Sequence, residues 1–158
     1  MFKMKFSTPF YVFQSEFFKL MTNADEMDFE IFDSGLSLEE INKLLKQQQT
    51  VRYGILTDIS GTPTSAKVDA IVWKMTVRIE LLTNYKGRKP IAEMITKIGE
   101  VATAYLDIFD ANLSGRGYSV VRMEIGQSVI GSAITDGAIT WQNGYITLNY
   151  YLSQLTED

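Results

Sequence analysis

This sequence of 158 residues contains no histidine and no cysteine. Histidine is the side chain that titrates near neutral pH and the commonest metal ligand, and cysteine supplies the thiolates of zinc sites and thiol catalysis. Zinc sites of these kinds, histidine-activated nucleophiles and thiol chemistry are therefore excluded. Without cysteine the fold also needs no oxidising compartment.

The chain also lacks a long hydrophobic run and an excess of positive charge. No apolar stretch approaches the ~20 residues of a membrane-spanning helix, so no membrane partner is expected. Residues 1–6 contain lysines, but no apolar core follows them, so no secretory signal is expected. The net charge of -4 argues against general attraction to nucleic acid, because Lys and Arg drive phosphate binding. Any nucleic-acid contact must be local.

The composition, with 46% apolar and 22% charged residues, is that of a folded chain. A chain of this length forms one domain and buries roughly two-thirds of its unfolded surface. Residues 1–35 form an aromatic-rich N-terminal arm or extension, residues 36–153 the main domain, and residues 154–158 a frayed tail.

The central stretch, residues 75–106, predicts a strand, a polar turn and a helix. Along the strand, apolar and polar residues alternate, as a strand with one buried face requires. Pro90 suits the first turn of a helix. The helix then carries an apolar stripe at helical spacing, formed by Ile91, Met94, Ile95, Ile98, Ala102 and Tyr105.

The flanking sequence supplies one more helix and further strands. Ser37 and Glu40 form a capping box that begins a helix over 38–48. Alternation and turn residues predict strands at 51–59, 68–82, 121–125 and 145–152, a hairpin loop at 60–66, and a bend or bulge near 72–74. This order predicts an α+β fold: a mainly antiparallel β-sheet with two principal helices packed on one face.

The N-terminal arm is ambiguous at the local level. Residues 28–32 are expected to be extended, whereas residues 11–20 fit either short strands or a helical turn. The aromatic side chains of this arm must be buried either in the chain's own core or on a neighbouring subunit. They are Phe10, Tyr11, Phe13, Phe17, Phe18, Phe29 and Phe32.

Several groups of residues could carry chemistry, and each has a simpler structural interpretation. The acidic residues Asp25, Glu26, Asp28, Glu30 and Asp33 lack calcium-loop spacing and are interpreted as a solvated segment. The pairs Asp107 with Asp110 and Glu39 with Glu40 are interpreted as helix surface. The sequence Gly115-Arg116-Gly117 is interpreted as a turn, since no phosphate-loop pattern surrounds it. No catalytic, cofactor-binding or metal-binding residue is assigned, and no cofactor is expected.

One positive cluster stands out, formed by Tyr85, Lys86, Arg88 and Lys89 just before a predicted helix N-terminus. Helix N-termini attract anions, and Tyr or Arg can stack on bases. The simpler interpretations are a solvated loop or an ion-pairing contact with an acidic neighbour. The acidic segment 25–33 of another copy would be complementary to this loop. The loop is therefore a predicted subunit or lumen contact.

Four runs of the central unit and its sequel carry a family resemblance: WKMTVRIELLTNYKG at 73–87, IAEMITKI at 91–98, VVRME at 120–124 and YITLNY at 145–150. They resemble the tail-terminator or tail-completion (neck ring) proteins of tailed bacteriophages. The resemblance implies an α+β sheet backed by helices, assembly as a hexameric ring, and a place in the virion beside other neck or tail proteins. Contact with DNA passing through the lumen would be transient. The first 35 residues are longer and more aromatic than the family pattern.

Two classes of function remain. The first is a structural virion protein, not an enzyme, forming a ring in the neck or tail as a tail terminator or head-tail connector. The second is a small-ligand enzyme or binding module of α+β fold that uses carboxylates and tyrosines. The oligomeric state discriminates between them.

Overall fold

The computed structural model describes residues 6–67 and 70–155. Within these ranges the chain forms four helices and six strands. In chain order they are α1 (Phe10–Asn23), β1 (Glu30–Phe32), α2 (Leu38–Gln47), β2 (Arg52–Lys67), β3 (Ala70–Thr83), α3 (Lys89–Ala104), α4 (Leu106–Ser114), β4 (Tyr118–Ile130), β5 (Ile134–Asp136) and β6 (Ile139–Gln154).

The strands form one sheet in the order β1-β2-β3-β6-β4, and β5 pairs with the start of β6. Every pairing is antiparallel except that of β1 with β2. The predicted α+β fold with a mainly antiparallel sheet is therefore confirmed. β3 lies at the centre of the sheet, paired with β2 on one side and β6 on the other.

The main core lies between one face of the sheet and helices α1, α3 and α4. Met75, Val77, Ile79 and Leu81 of β3 are all 0% exposed, as the alternation predicted. The stripe of α3 covers them, with Ile91, Met94, Ile98 and Ala102 buried and Ile95 and Tyr105 partly buried. This apolar burial is the main driving force for folding here.

Helix α2 packs on the opposite face of the sheet, so the expectation that the two principal helices share one face is wrong in this detail. Leu82 points away from Leu81 because successive strand residues alternate. It packs with Tyr53 and Trp141 in a second, smaller cluster, which Ile41, Leu44 and Leu45 of α2 cover. The apolar stripe on α2 could indicate only that one side is covered, not which sheet face covers it.

The aromatic residues of the N-terminal segment pack mainly on the chain's own core. Phe13 and Phe17 of α1 are both 0% exposed, and their rings contact Phe109 and Tyr150 at centroid distances of 5.4–6.3 Å. The ambiguous stretch 11–20 is thus helical. The predicted extended stretch 28–32 contains β1.

Two predicted features differ in the structure. Residues 60–66, expected to be a hairpin loop, lie within β2, whose pairing with β3 continues to Lys67. Cross-strand pairing with β3 outweighs the turn tendency of Gly61 and Pro63, and the register shifts between Pro63 and Ser65. The bulge predicted near residues 72–74 of β3 therefore lies on β2, the strand that pairs with them.

Residues 106–114 were not predicted as a separate element, but they form helix α4.

Several local predictions are confirmed. The capping box is present, with the Glu40 amide donating to Ser37 Oγ at 3.2 Å and the Ser37 amide to Glu40 Oε1 at 3.4 Å. The strand at 145–152 forms the middle of β6 with the predicted face buried. The frayed tail predicted at residues 154–158 is wrong at its start, because Gln154 is the last residue of β6 and the Leu155 amide donates to the Gly117 carbonyl at 2.8 Å. Residues 156–158 lie outside the described range.

Candidate functional site

The basic loop, residues 84–89, joins the central strand β3 to α3. Asn84 fixes its start, because its side chain accepts from the Val51 amide at 2.8 Å and donates to the Gln49 carbonyl at 3.0 Å. The Tyr85 amide donates to Oγ1 of the fully buried Thr83 at 3.1 Å. Gly87 has φ +99, a conformation that favours glycine. The loop is therefore held at its base and exposed at its tip.

The side chains at the tip are accessible. Tyr85 is 54% exposed, and Lys89, the first residue of α3, pairs only loosely with Glu93 at 3.8 Å. Lys86 and Arg88 are exposed and have no ion-pair partner among the described residues. An aromatic ring beside two unpaired cations can contact a carboxylate surface or a phosphate backbone. The structure thus brings together all four predicted contact residues.

The acidic side chains of segment 25–33 are exposed, and they contact different elements. Asp28 pairs with Arg52 of β2 at 3.4 Å, and Asp33 accepts from Gln14 of α1 at 2.9 Å. Tyr105 donates to Glu26 at 2.6 Å, which lowers the pKa of Glu26 and raises the pKa of Tyr105. In residues 6–67 and 70–155, no three potential ligands of the His, Cys, Asp or Glu types gather where they could hold a metal ion.

The other acidic and glycine-rich candidates have structural roles. Asp110 accepts from the Val120 amide at 2.7 Å and from Ser119 at 3.2 Å, so it ties α4 to the start of β4. The Gly115-Arg116-Gly117 stretch is a turn, as predicted. Arg116 leaves this turn to meet the buried Glu16 of α1 at 2.9 Å.

The sequence did not indicate a cleft of about 840 Å³ beside the edge strand β1. Phe18 of α1 and Leu44 of α2 line it, together with β1 and the first residues of β2. The cleft therefore lies at the N-terminal ends of the parallel strands β1 and β2, next to both helices. We call it the β1 edge cleft. No local sequence pattern reports such a gap, because three distant elements form it.

The opposite lateral side of the sheet is apolar. Beyond the described β4 no further strand follows in the sheet, and a groove of about 640 Å³ lies between α3 and β4. Ile95, Gly99 and Ile125 are among its lining residues. Exposed apolar side chains continue along β4 and β5, with Val121 at 60%, Ile125 at 51%, Ile130 at 38% and Ile134 at 58%. We call this surface the β4 margin.

Between these two sides, the part of the second sheet face not covered by α2 carries polar and aromatic side chains. The Arg78 guanidinium lies 3.8 Å from the centre of the Tyr145 ring, and Arg122 lies 4.1 Å from that of Tyr151. Thr76 donates to Asn149 at 2.7 Å. Arginine and tyrosine side chains of this kind are common in protein interfaces.

No protein-family model matches the chain, and no curated protein is similar to it at a significant level. The resemblance to tail-terminator proteins therefore stays a prediction. In the described parts of the chain, no helix combines the length and the apolar character needed to cross a bilayer.

Proposed function

We propose that this chain is a structural virion protein, a subunit of an oligomeric ring in the neck or tail of a tailed bacteriophage. The role would be that of a tail terminator or head-tail connector. The sequence resemblance over about residues 50–153 supports the phage assignment. The shape and chemistry of the surfaces support the ring.

The observation that carries the ring is that the two lateral sides of the sheet are unlike each other. One side is the β1 edge cleft, whose charged lining residues are Asp28, Glu30 and Arg52, and the other is the apolar β4 margin. Two different surfaces on opposite sides of one subunit suit a head-to-tail contact, and a head-to-tail contact that closes produces a ring. A two-fold dimer would instead use a single self-complementary patch.

The basic loop is the proposed contact with an acidic neighbouring surface or with DNA passing through the lumen. Lys86 and Arg88 are exposed and unpaired among the described residues, so they are available for either contact. With a net charge of -4, the subunit would attract DNA only locally, which suits transient contact during passage.

The alternative is a small-ligand enzyme or binding module, and the β1 edge cleft is the observation that favours it. The cleft includes Asp28, Glu30 and Tyr53. Asp28 is already paired with Arg52. Burial raises the pKa of the Tyr53 phenol, so this hydroxyl stays protonated at neutral pH and is a poor base. The arrangement supports binding better than catalysis.

The oligomeric state of the purified chain tests the proposal. Light scattering coupled to size-exclusion chromatography and negative-stain microscopy should reveal closed rings, of roughly six copies if the family resemblance holds. A strict monomer at high concentration would contradict the ring and favour the alternative.

The basic loop is tested by the double variant Lys86→Glu/Arg88→Glu in a phage complementation assay. Loss of ring formation or of tail joining is expected, because two unpaired cations become anions. The matched control is Lys43→Glu/Lys46→Glu on the exposed side of α2, which changes the net charge equally. Normal infectious particles from the loop variant would rule out the proposed contact.

A further inference from the structure

The basic loop and the β1 edge cleft lie at the same end of the sheet. The Asn84 side chain, at the base of the loop, accepts from the Val51 amide just before β2, and the first residues of β2 line the cleft. The loop then leads away from β1, because Ile91, two residues beyond it, packs against Gly144 of β6 beside the Val129 carbonyl of β4. When the β4 margin of one copy faces the β1 edge of the next, the loop and the cleft are therefore on the facing sides.

The tip of the loop has the composition of a protein-binding anchor. Tyr85 is 54% exposed, and Lys86 and Arg88 are exposed without an ion-pair partner among the described residues. Tyrosine and arginine are enriched among the residues that contribute most to binding between proteins. The hydrogen bonds of Asn84 fix the base of the loop, so docking would have to order little more than the side chains at the tip.

The cleft has the complementary chemistry. Its volume of about 840 Å³ is in the range of pockets that bind small ligands, so it has room for an aromatic side chain. Phe18 of α1 and Leu44 of α2 supply half-buried apolar lining, against which an aromatic ring can pack. Asp28 is paired with Arg52 at 3.4 Å. Glu30 also lines the cleft, is exposed, and has no ion-pair partner within the described chain, so its carboxylate can accept a cation.

Within one chain these two surfaces do not neutralise each other. Among the described residues, no ion pair joins a cation of the loop to an acid of segment 25–33: Lys89 pairs with Glu93 of its own helix at 3.8 Å, and Asp28 pairs with Arg52. A cationic loop and a free carboxylate on the same molecule are complementary between copies. The charges therefore specify a second copy of this chain as the partner, whereas DNA would complement the loop alone.

We propose that the basic loop of one copy docks in the β1 edge cleft of a second copy, with the Tyr85 ring against Phe18 and with Lys86 and Arg88 beside Glu30. The proposal rests on the proposed function, since it names the surface of the neighbouring subunit that receives the loop. Loop and cleft are different surfaces. A docked pair therefore keeps one free loop and one free cleft, and further copies can add until a ring closes.

Charge exchange in the full-length chain tests the ionic part of the contact. Lys86→Glu/Arg88→Glu and Glu30→Lys should each raise the concentration needed for half-assembly, measured by light scattering, at least about tenfold, because each places like charges together. The chain that combines all three substitutions should assemble better than either parent. The matched control combines the loop variant with Asp25→Lys, because Asp25 is an exposed acid of the same segment that does not line the cleft. Thermal unfolding verifies that each variant is folded. No recovery with Glu30→Lys, or equal recovery with Asp25→Lys, would overturn the proposal.

The aromatic anchor has a separate test. Tyr85→Ala should also raise the half-assembly concentration at least about tenfold, because the burial of the ring is lost. Tyr85→Phe keeps the ring and should change this concentration by less than about twofold. Equal assembly of the two variants would contradict the placement of the ring in the cleft.

A cross-link in the unsubstituted protein locates the contact. A carbodiimide forms an amide between a lysine and a carboxylate that touch, so Lys86 should become linked to Glu30. In an equal mixture of unlabelled and isotope-labelled chains, a link between copies gives peptides of mixed label, as identified by mass spectrometry. A link between Lys86 and Glu30 that occurs only in singly labelled peptides, or links of Lys86 to acids outside the cleft alone, would overturn the proposal.

The outcomes separate this proposal from the proposed function. If wild-type rings form but charge exchange gives no recovery, loop docking is wrong and the ring stands. If charge exchange restores assembly but light scattering finds only dimers, loop docking stands and the ring is wrong. If the loop variant assembles normally and only loses retention of DNA in a gel-shift assay, DNA is the partner of the loop and docking in the cleft is wrong.

Discussion

Tyr150 offers the sharpest test of the core. It lies in β6 at 0% exposure, and the rings of Phe13, Phe17 and Phe109 surround it at centroid distances of 5.0–5.9 Å. Its hydroxyl has no hydrogen-bond partner among the described atoms. A buried, unpaired hydroxyl costs about 1–3 kcal/mol of stability. Tyr150→Phe removes the hydroxyl and keeps the ring, so the free energy of unfolding should rise by about that amount.

Tyr150 should also make the stability of the fold depend on pH. Burial raises the pKa of the Tyr150 phenol above its ordinary value of about 10. Below about pH 10 the phenol is protonated in both the folded and the unfolded state, so its ionisation does not lower the stability. Above it the unfolded phenol ionises while the folded one stays neutral, so stability falls as pH rises. At about pH 11 this loss is roughly 1.4 kcal/mol, and the Phe variant should escape it.

Denaturant unfolding of both proteins, at neutral pH and between about pH 9 and 11, measures these two effects. Comparing the two proteins cancels the contributions of the other tyrosines. Tyr145→Phe, on the half-buried polar face, is the control at neutral pH and should change stability by less than about 0.5 kcal/mol. The description of the core would be refuted if Tyr150→Phe were destabilising, or if the gap between wild type and variant did not widen at alkaline pH.

Two further substitutions test packing and charge. Gly144→Ala should destabilise the fold by about 1–3 kcal/mol, because an added Cβ would lie 2.5 Å from the Val129 carbonyl oxygen. Gly99→Ala, inside α3, is the control and should be neutral or stabilise the fold by up to about 1 kcal/mol. Thermal unfolding of both variants measures the difference. Arg116→Met should lower the stability by about 2 kcal/mol in a denaturant titration. It removes the partner that lies 2.9 Å from Glu16, which is 8% exposed, and leaves only Lys19 at 3.7 Å. An unchanged midpoint in the Arg116 variant would mean that solvent already satisfies Glu16.

The candidate surfaces could be predicted only in part. The basic loop was predictable, because its cations are adjacent in sequence and the flanking strand and helix have clear periodicity. The β1 edge cleft was not, because Phe18, Leu44 and Tyr53 come from three separate elements. The β4 margin was also missed, because an apolar residue such as Ile125 is expected to be buried, and only the structure shows that it is exposed.

By itself, the sequence determined the elements with strong local signals. The alternation in β3 and β6, the stripe of α3 and the capping box of α2 are local, because side-chain periodicity and backbone capping act within a few residues. Together with the short connections between the elements, these signals were enough to predict the α+β fold class.

Only the tertiary structure decided how these elements combine. It continued β2 through Gly61 and Pro63, because pairing with β3 outweighs local turn tendency. It placed α2 on the face opposite α3 and left a cleft beside the edge strand β1. Both outcomes depend on which distant surfaces contact each other. Burial against any apolar surface is favourable, and periodicity shows that a face is buried but not against which surface.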